Sequence, residues 1–228
     1  MCKKILVVIS LTVSLIGSLQ AADFVIQPTS NQDAPCYSGY VELNHTIGWF
    51  GQYNGGQMAQ VSIYTLPLSL TSDMIASAVL EVPQPDMVWR SDIADYPQLY
   101  VLNLKHIDAT DDDIVKSSDL QAERDLGLIG TLRAAGPLNP DNSRIVSFDV
   151  TSFVKSDMDA KRKTFAWKTE TLGMLPLACN YFMMPTVDNT WDIFPLHGGK
   201  LSISLVPEPA IMTLLLINCL GVIARKRA

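Results

Sequence analysis

The chain has 228 residues, room for one large domain, and 48% of them are hydrophobic against 18% charged. Its formal net charge is −6, but with Lys3, Lys4, Glu208, Arg225, Lys226 and Arg227 set aside the remainder carries 12 basic against 22 acidic residues. A body of that sign repels phosphate backbones, which argues against nucleic acid or anionic lipid as its partner.

The chain opens MCKKILVVISLTVSLIGSLQAADF. A short basic start, an apolar run over Ile5–Ile16 and small residues before Asp23 form the pattern of a secretory signal peptide over residues 1–22. The run is too short to span the ~30 Å core of a bilayer. Cleavage is expected near Ala21 or Ala22. Export removes Cys2 and places the body in a compartment where thiols oxidise. The body then keeps Cys36 and Cys179. A bridge between them would close a loop of about 143 residues, worth about 4–5 kcal/mol in the chain-entropy picture; the alternative is two buried, unpaired thiols. Neither has a CxxC partner or a nearby histidine, so zinc is not indicated.

Residues 23–206 read as one antiparallel β-sandwich. In IASAVLEV, Ala76, Ala78, Leu80 and Val82 alternate with Ser77, Val79 and Glu81; in LYVLNLKHI, Tyr100, Leu102 and Leu104 oppose Asn103 and Lys105; in LSISL, Leu201, Ile203 and Leu205 point inward. QVSIYTL, RIVSFDV and TFAWKT are further strands, punctuated by 13 glycines and 13 prolines. The one helix expected is Ser118–Leu126, with Gly127 ending it. In FDVTSFV, Thr151 is expected to cap a short turn that drops Phe153 and Val154 into the core.

Candidate chemistry is sparse. His45, His106 and His197 are scattered, with no HExxH or GxSxG spacing, and GQYNGG lacks the Lys-Ser/Thr of a phosphate loop. The chain is therefore expected not to be an enzyme, and no cofactor is expected. HIDATDDDIV gathers Asp108, Asp111, Asp112 and Asp113, oxygen ligands that suit calcium, though without the spacing of an EF-hand; the plainer reading is a solvated turn. GWFGQYNGG sets Trp49, Phe50 and Tyr53 among glycines, either as a loop that stacks on sugar rings or as plugs of the sandwich end. Trp89, Trp167 and Trp191 are expected in core or edge packing.

The chain ends LVPEPAIMTLLLINCLGVIARKRA. Ala210–Ala224 carries no charge, and fifteen helical residues rise only about 22 Å, a thin or transient span that Arg225-Lys226-Arg227 would hold on the cytoplasmic side. Pro207-Glu208-Pro209, a short apolar run and a terminal basic cluster, in that order over residues 207–228, resemble a PEP-CTERM sorting signal. The resemblance implies processing by an exosortase, a membrane enzyme, with Pro207, Glu208 and Pro209 as its recognition element, followed by delivery to the surface of a polysaccharide-producing bacterium. Two prolines deny the segment two backbone donors and keep it extended.

VIQPTSNQDA, LTSDMIASAVLEV, LYVLNLKHID and VSFDVTSFVKSD…FAWKTE, in that order, resemble the DNRLRE-type β-sandwich of secreted proteins. That resemblance implies a jelly-roll-like fold with structural or carbohydrate-binding roles. The resulting expectation is an exported, non-catalytic surface or matrix protein. It meets extracellular polysaccharide and touches the membrane only through its tail. The alternative is a carbohydrate-binding module assisted by calcium, ahead of a glycan-active enzyme.

Overall fold

The computed structural model describes residues 23–37, 39–43, 47–53, 56–84, 87–88, 101–109, 113–133, 145–172, 179–185 and 199–206. The expected signal peptide, the Pro207-Glu208-Pro209 tail, Trp89 and Trp191 lie outside these residues. The described strands are β1 (Asp23–Ile26), β2 (Asp33–Tyr37), β3 (Tyr40–Val41), β4 (Ile47–Tyr53), β5 (Gly56–Thr65), β6 (Ile75–Pro83), β7 (Met87–Val88), β8 (Val101–Ile107), β9 (Asp125–Arg133), β10 (Ile145–Asp149), β11 (Thr164–Leu172), β12 (Cys179–Pro185) and β13 (Lys200–Leu205). One α-helix, α1, spans Thr151–Asp159.

The strands form two antiparallel sheets, as the alternating runs led us to expect. The smaller has the order β1-β13-β6-β10; the larger runs β7-β12-β4-β5-β11-β8-β9, with β2 also paired to β5 and β3 paired to β2. Leu80, Val82, Leu201 and Ile203 from the first sheet and Tyr64, Leu102, Leu104, Phe165 and Trp167 from the second form one buried cluster between them. Burying such side chains contributes roughly 1.5–3 kcal/mol each. Trp167 is thus a core residue, as expected, and the inward residues of the alternating runs are the ones that fill this layer.

The larger sheet is covered on its other face as well. Ala34, Cys36, Val61, Ile63, Ile107 and Ala166 pack there under Ala109, Val115 and Leu120 from the segment that follows β8. Strands β5 and β11 are buried on both sides over Ile63-Tyr64 and Phe165-Ala166-Trp167, which is why those stretches read as continuous apolar runs.

Three expectations change in the fold. Ala76 does not face inward: between Ser204 and Leu205 the β13 register shifts from Ser77 to Ile75. The bulge leaves Ala76 exposed and turns Ile75 into the core. The helix expected over Ser118–Leu126 is replaced by two short 3-10 turns, Ser117–Leu120 and Ala122–Arg124, and by the start of β9. Nine residues of isolated helix are marginal, whereas β9 makes a long ladder with β8, from Val101–Arg133 to Ile107–Asp125.

The turn expected at Thr151 is a true helix, with Val154 fully buried and Phe153 packed against the core. Thr151 is not its cap. The Asp149 carboxylate accepts from Thr151 N at 3.0 Å and from Thr151 Oγ1 at 2.6 Å. These bonds hold the Asp149 carboxyl below the usual carboxylate range. Thr151 Oγ1 in turn accepts from Ala78 N at 2.9 Å, fastening the helix start to β6.

Candidate functional site

The aromatic stretch GWFGQYNGG is not a free loop. Trp49, Phe50 and Tyr53 belong to β4, which pairs with β5 through Gly51–Met58 and Tyr53–Gly56 and with β12 through Trp49–Met183, Phe50–Phe182 and Tyr53–Cys179.

The expected bridge is not made either: Cys36 carries a free, buried thiol. Met58 of β5 pairs with Tyr37 of β2 and with Gly51 of β4, so β2 and β4 flank opposite edges of β5. Two strands, β4 and β5, thus stand between Cys36 and Cys179. Burial, and then the charge of Asp119, push the Cys36 thiol far up from its ordinary value.

Of the aspartate cluster, Asp111 and Asp112 lie outside the described residues. The other two face different partners. Asp108 Oδ1 lies 3.4 Å from Arg162 Nε, and Asp113 Oδ1 accepts from Thr65 Oγ1 at 3.3 Å. Asp113 takes a positive φ of 55°, the conformation of a tight turn. Among the described residues no group of three or more His, Cys, Asp or Glu side chains is placed to hold a metal ion.

The fold assembles polar groups that no motif announced. His106 Nε2 lies 2.8 Å from Asp157 Oδ2, with side chains 2% and 1% exposed. Asp157 Oδ1 lies 3.0 Å from Arg162 Nη1, which extends the chain of contacts to Asp108. The His106 ring stacks on Phe165 at 5.3 Å and meets the edge of Phe153 at 5.1 Å. A histidine–carboxylate pair is the raw material of acid–base chemistry, but this ring is enclosed by aromatics. What the arrangement does is brace α1 against β8. His106 and Asp157 are 51 positions apart, and only the packing of α1 on the sheet brings them together.

A second network lies on the outer face of β8 and β11. Lys168 Nζ donates to Leu120 O at 2.9 Å and Gln121 O at 3.1 Å, and lies 2.5 Å from Asp125 Oδ1. Lys105 Nζ sits 3.1 Å from both Asp125 Oδ2 and Glu170 Oε2, and these bonds raise its pKa. Beside it is a cavity of about 90 Å³ between Leu120, Asp125, Lys168 and Glu170. Pockets that hold ligands run to ~300 Å³ and above, so this one suits a few waters rather than a sugar ring.

A third cluster is formed by Asp33, Gln60, Ser62 and Thr169, all buried. Asp33 Oδ1 accepts from Gln60 Nε2 and Ser62 Oγ, each at 2.5 Å, and Thr169 Oγ1 accepts from Gln60 N at 2.9 Å. It pins β2 to β5 and β5 to β11.

A scan against known protein families finds no match to this chain. A search of curated proteins finds none either. Among the described residues no helix is long and apolar enough to cross a membrane.

Proposed function

We propose that this protein is an exported, non-catalytic component of a bacterial cell surface or extracellular matrix. In this reading a jelly-roll-like β-sandwich is carried out by a signal peptide and sorted by an exosortase through its tail. The observation that carries the proposal is the three-part order at the C-terminus. Pro207-Glu208-Pro209, the uncharged run Ala210–Ala224 and Arg225-Lys226-Arg227 follow within a residue of the last strand.

Several features of the body support a structural role. The buried His106–Asp157 pair and the Asp33 cluster brace helix and strands to one another, and the acidic balance suits a hydrated, cation-rich polysaccharide layer. Replacing Pro207, Glu208 and Pro209 with alanine removes the recognition element and leaves the apolar run in place. The variant should accumulate in the inner membrane, read by fractionation of the native host. Normal surface delivery overturns the proposal.

A further inference from the structure

We propose that the β2–β3 hairpin carries a binding platform for neutral polysaccharide, formed by the open face of Tyr40, with Tyr37 stacked behind it and Glu42 beside the stack. The choice of polysaccharide as ligand rests on the export reading above.

Tyr37 and Tyr40 are paired across the hairpin. Gly39, at φ +130°, lies in the tight reversal between them, and its N–H donates to Tyr37 O at 2.7 Å. The two rings lie 4.3 Å apart and within 7° of parallel. Tyr37 is half-buried, while Tyr40 is 55% exposed. Tyr37 therefore covers one face of the Tyr40 ring and leaves the other open to solvent. The stack is held from behind. Strand β2 pairs with β5 from Asp33–Ser62 to Tyr37–Met58, and Ala34 and Cys36 are buried against the sheet. Tyr37 Oη donates to Glu42 Oε2 at 3.3 Å, and Glu42 N donates to Pro35 O at 3.1 Å. Burial, and then the charge of Glu42, raise the Tyr37 hydroxyl, so it stays protonated and keeps donating.

An open aromatic face has a definite chemistry. Its π-cloud is negative and the C–H bonds on the face of a hexose are positive at hydrogen, so the two stack while the sugar hydroxyls stay in water. A ring already fixed in place loses little conformational entropy on binding. The surroundings then select among flat ligands. Glu42 stands beside the stack on an acidic body, which disfavours nucleotides and uronate-rich polymers and leaves neutral sugars. A protein partner fits less well. Among the described residues of this segment the exposed large apolar side chains are Tyr40 and Leu43, far short of the ~800 Å² per partner of a stable interface. One ring makes a weak contact, but a polymer repeats the same sugar, and many copies of the chain on one surface add their contacts together.

The test uses the full chain, purified in a polyoxyethylene detergent so that no sugar headgroup competes, and run through native gels containing hydroxyethylcellulose, galactomannan, dextran or alginate. At least one of the three neutral polymers should retard it, and alginate should not. Tyr40→Ala should weaken the retardation about tenfold, the loss of one aromatic contact. Tyr40→Phe keeps the ring and should be retarded like the unaltered chain. Should Tyr40→Ala fail to fold, Tyr40→Leu, apolar but without a planar face, should show the same loss. The proposal is overturned if no neutral polymer retards the unaltered chain, if alginate retards it equally, or if a folded Ala or Leu variant binds as well as Tyr40 does. Sedimentation of the same samples covers the other occupant: a dimer that Tyr40→Ala dissolves assigns this face to a second copy and overturns the proposal. The gel reads binding alone. Unaltered chain that reaches the host surface but is not retarded removes this proposal and leaves the export reading standing, and chain that is retarded but not exported does the reverse.

Discussion

His106 and Asp157 meet at 2.8 Å in the interior, one on a central strand and the other on the only α-helix among the described residues. Asp157 also holds Arg162. Asp157→Ala should therefore strand two polar partners where water cannot replace the carboxylate, at a cost of about 3–5 kcal/mol. In a domain of this size the melting temperature should fall by on the order of 10 °C. Asp108→Ala removes only the half-exposed end of the same chain of contacts and should stay within about 1 kcal/mol. Thermal unfolding of the two variants side by side checks the brace, and equal small effects would contradict it.

Gly199 packs where a side chain has no room. A Cβ there would lie 2.8 Å from the Tyr64 hydroxyl and 2.9 Å from the Glu81 carbonyl oxygen, and the latter is strand backbone. Gly199→Ala should cost about 1–3 kcal/mol through overpacking. At Gly127 the nearest atom is the ring edge of Phe153 at 3.2 Å, so Gly127→Ala should cost less. Urea midpoints of the two variants give the comparison.

The Cys36 thiol should be unreactive toward maleimide at pH 8 in the folded body and label fully in urea. Mass mapping without reductant should find it unpaired; a bridge to Cys179 would contradict the strand order. Its ordinary pKa is near 9.0, and the fold raises it, chiefly by burial. The folded state thus keeps a proton that the unfolded chain releases. The stability this group contributes is complete below about pH 9 and is lost as pH rises further, by up to ~1.4 kcal/mol per pH unit. Urea midpoints at pH 7.5 and 10 should differ less in Cys36→Ala than in the unaltered protein. Tyr64, raised from 10.0 mainly by burial, adds its own loss of stability at still higher pH.

Lys168 is nearly buried and holds two carbonyls and Asp125 at once. Lys168→Met should release the 3-10 segment from β11 and cost about 3 kcal/mol. Lys105 shares Asp125 with it and also holds Glu170, but it is more open to solvent, and Lys105→Met should cost no more than about 1 kcal/mol. Hydrogen exchange at Leu120–Arg124 should rise in the first variant and not in the second.

Local pattern reached some parts of this molecule and not others. The alternation in IASAVLEV, LYVLNLKHI and LSISL placed Leu80, Val82, Leu102, Leu104, Leu201 and Ile203 in the core, because inward and outward positions along a strand differ by a period that residue type displays directly. The helix over Ser118–Leu126 failed because its residues are helix formers only in the absence of β8, whose edge offers a longer ladder. Ala76 failed because a bulge is a property of two strands together. The loop expected around Trp49 became a strand for a related reason. GWFGQYNGG looks like a loop by composition, but β12 and β5 claim its backbone from both sides.

What the sequence determined by itself about the body is the class of fold and the strands that fill its core, since those depend on the polarity of each residue and its spacing along one segment. Pairing across the fold was decided only in three dimensions. The joining of Asp23 to Ser204, the isolation of Cys36 from Cys179 by two strands, and the burial of His106 against Asp157 each unite or separate residues far apart in the chain. No local pattern encodes such pairings, because their free energy comes from closing the sheets and excluding water between them, and it exists only once every participating strand is in place.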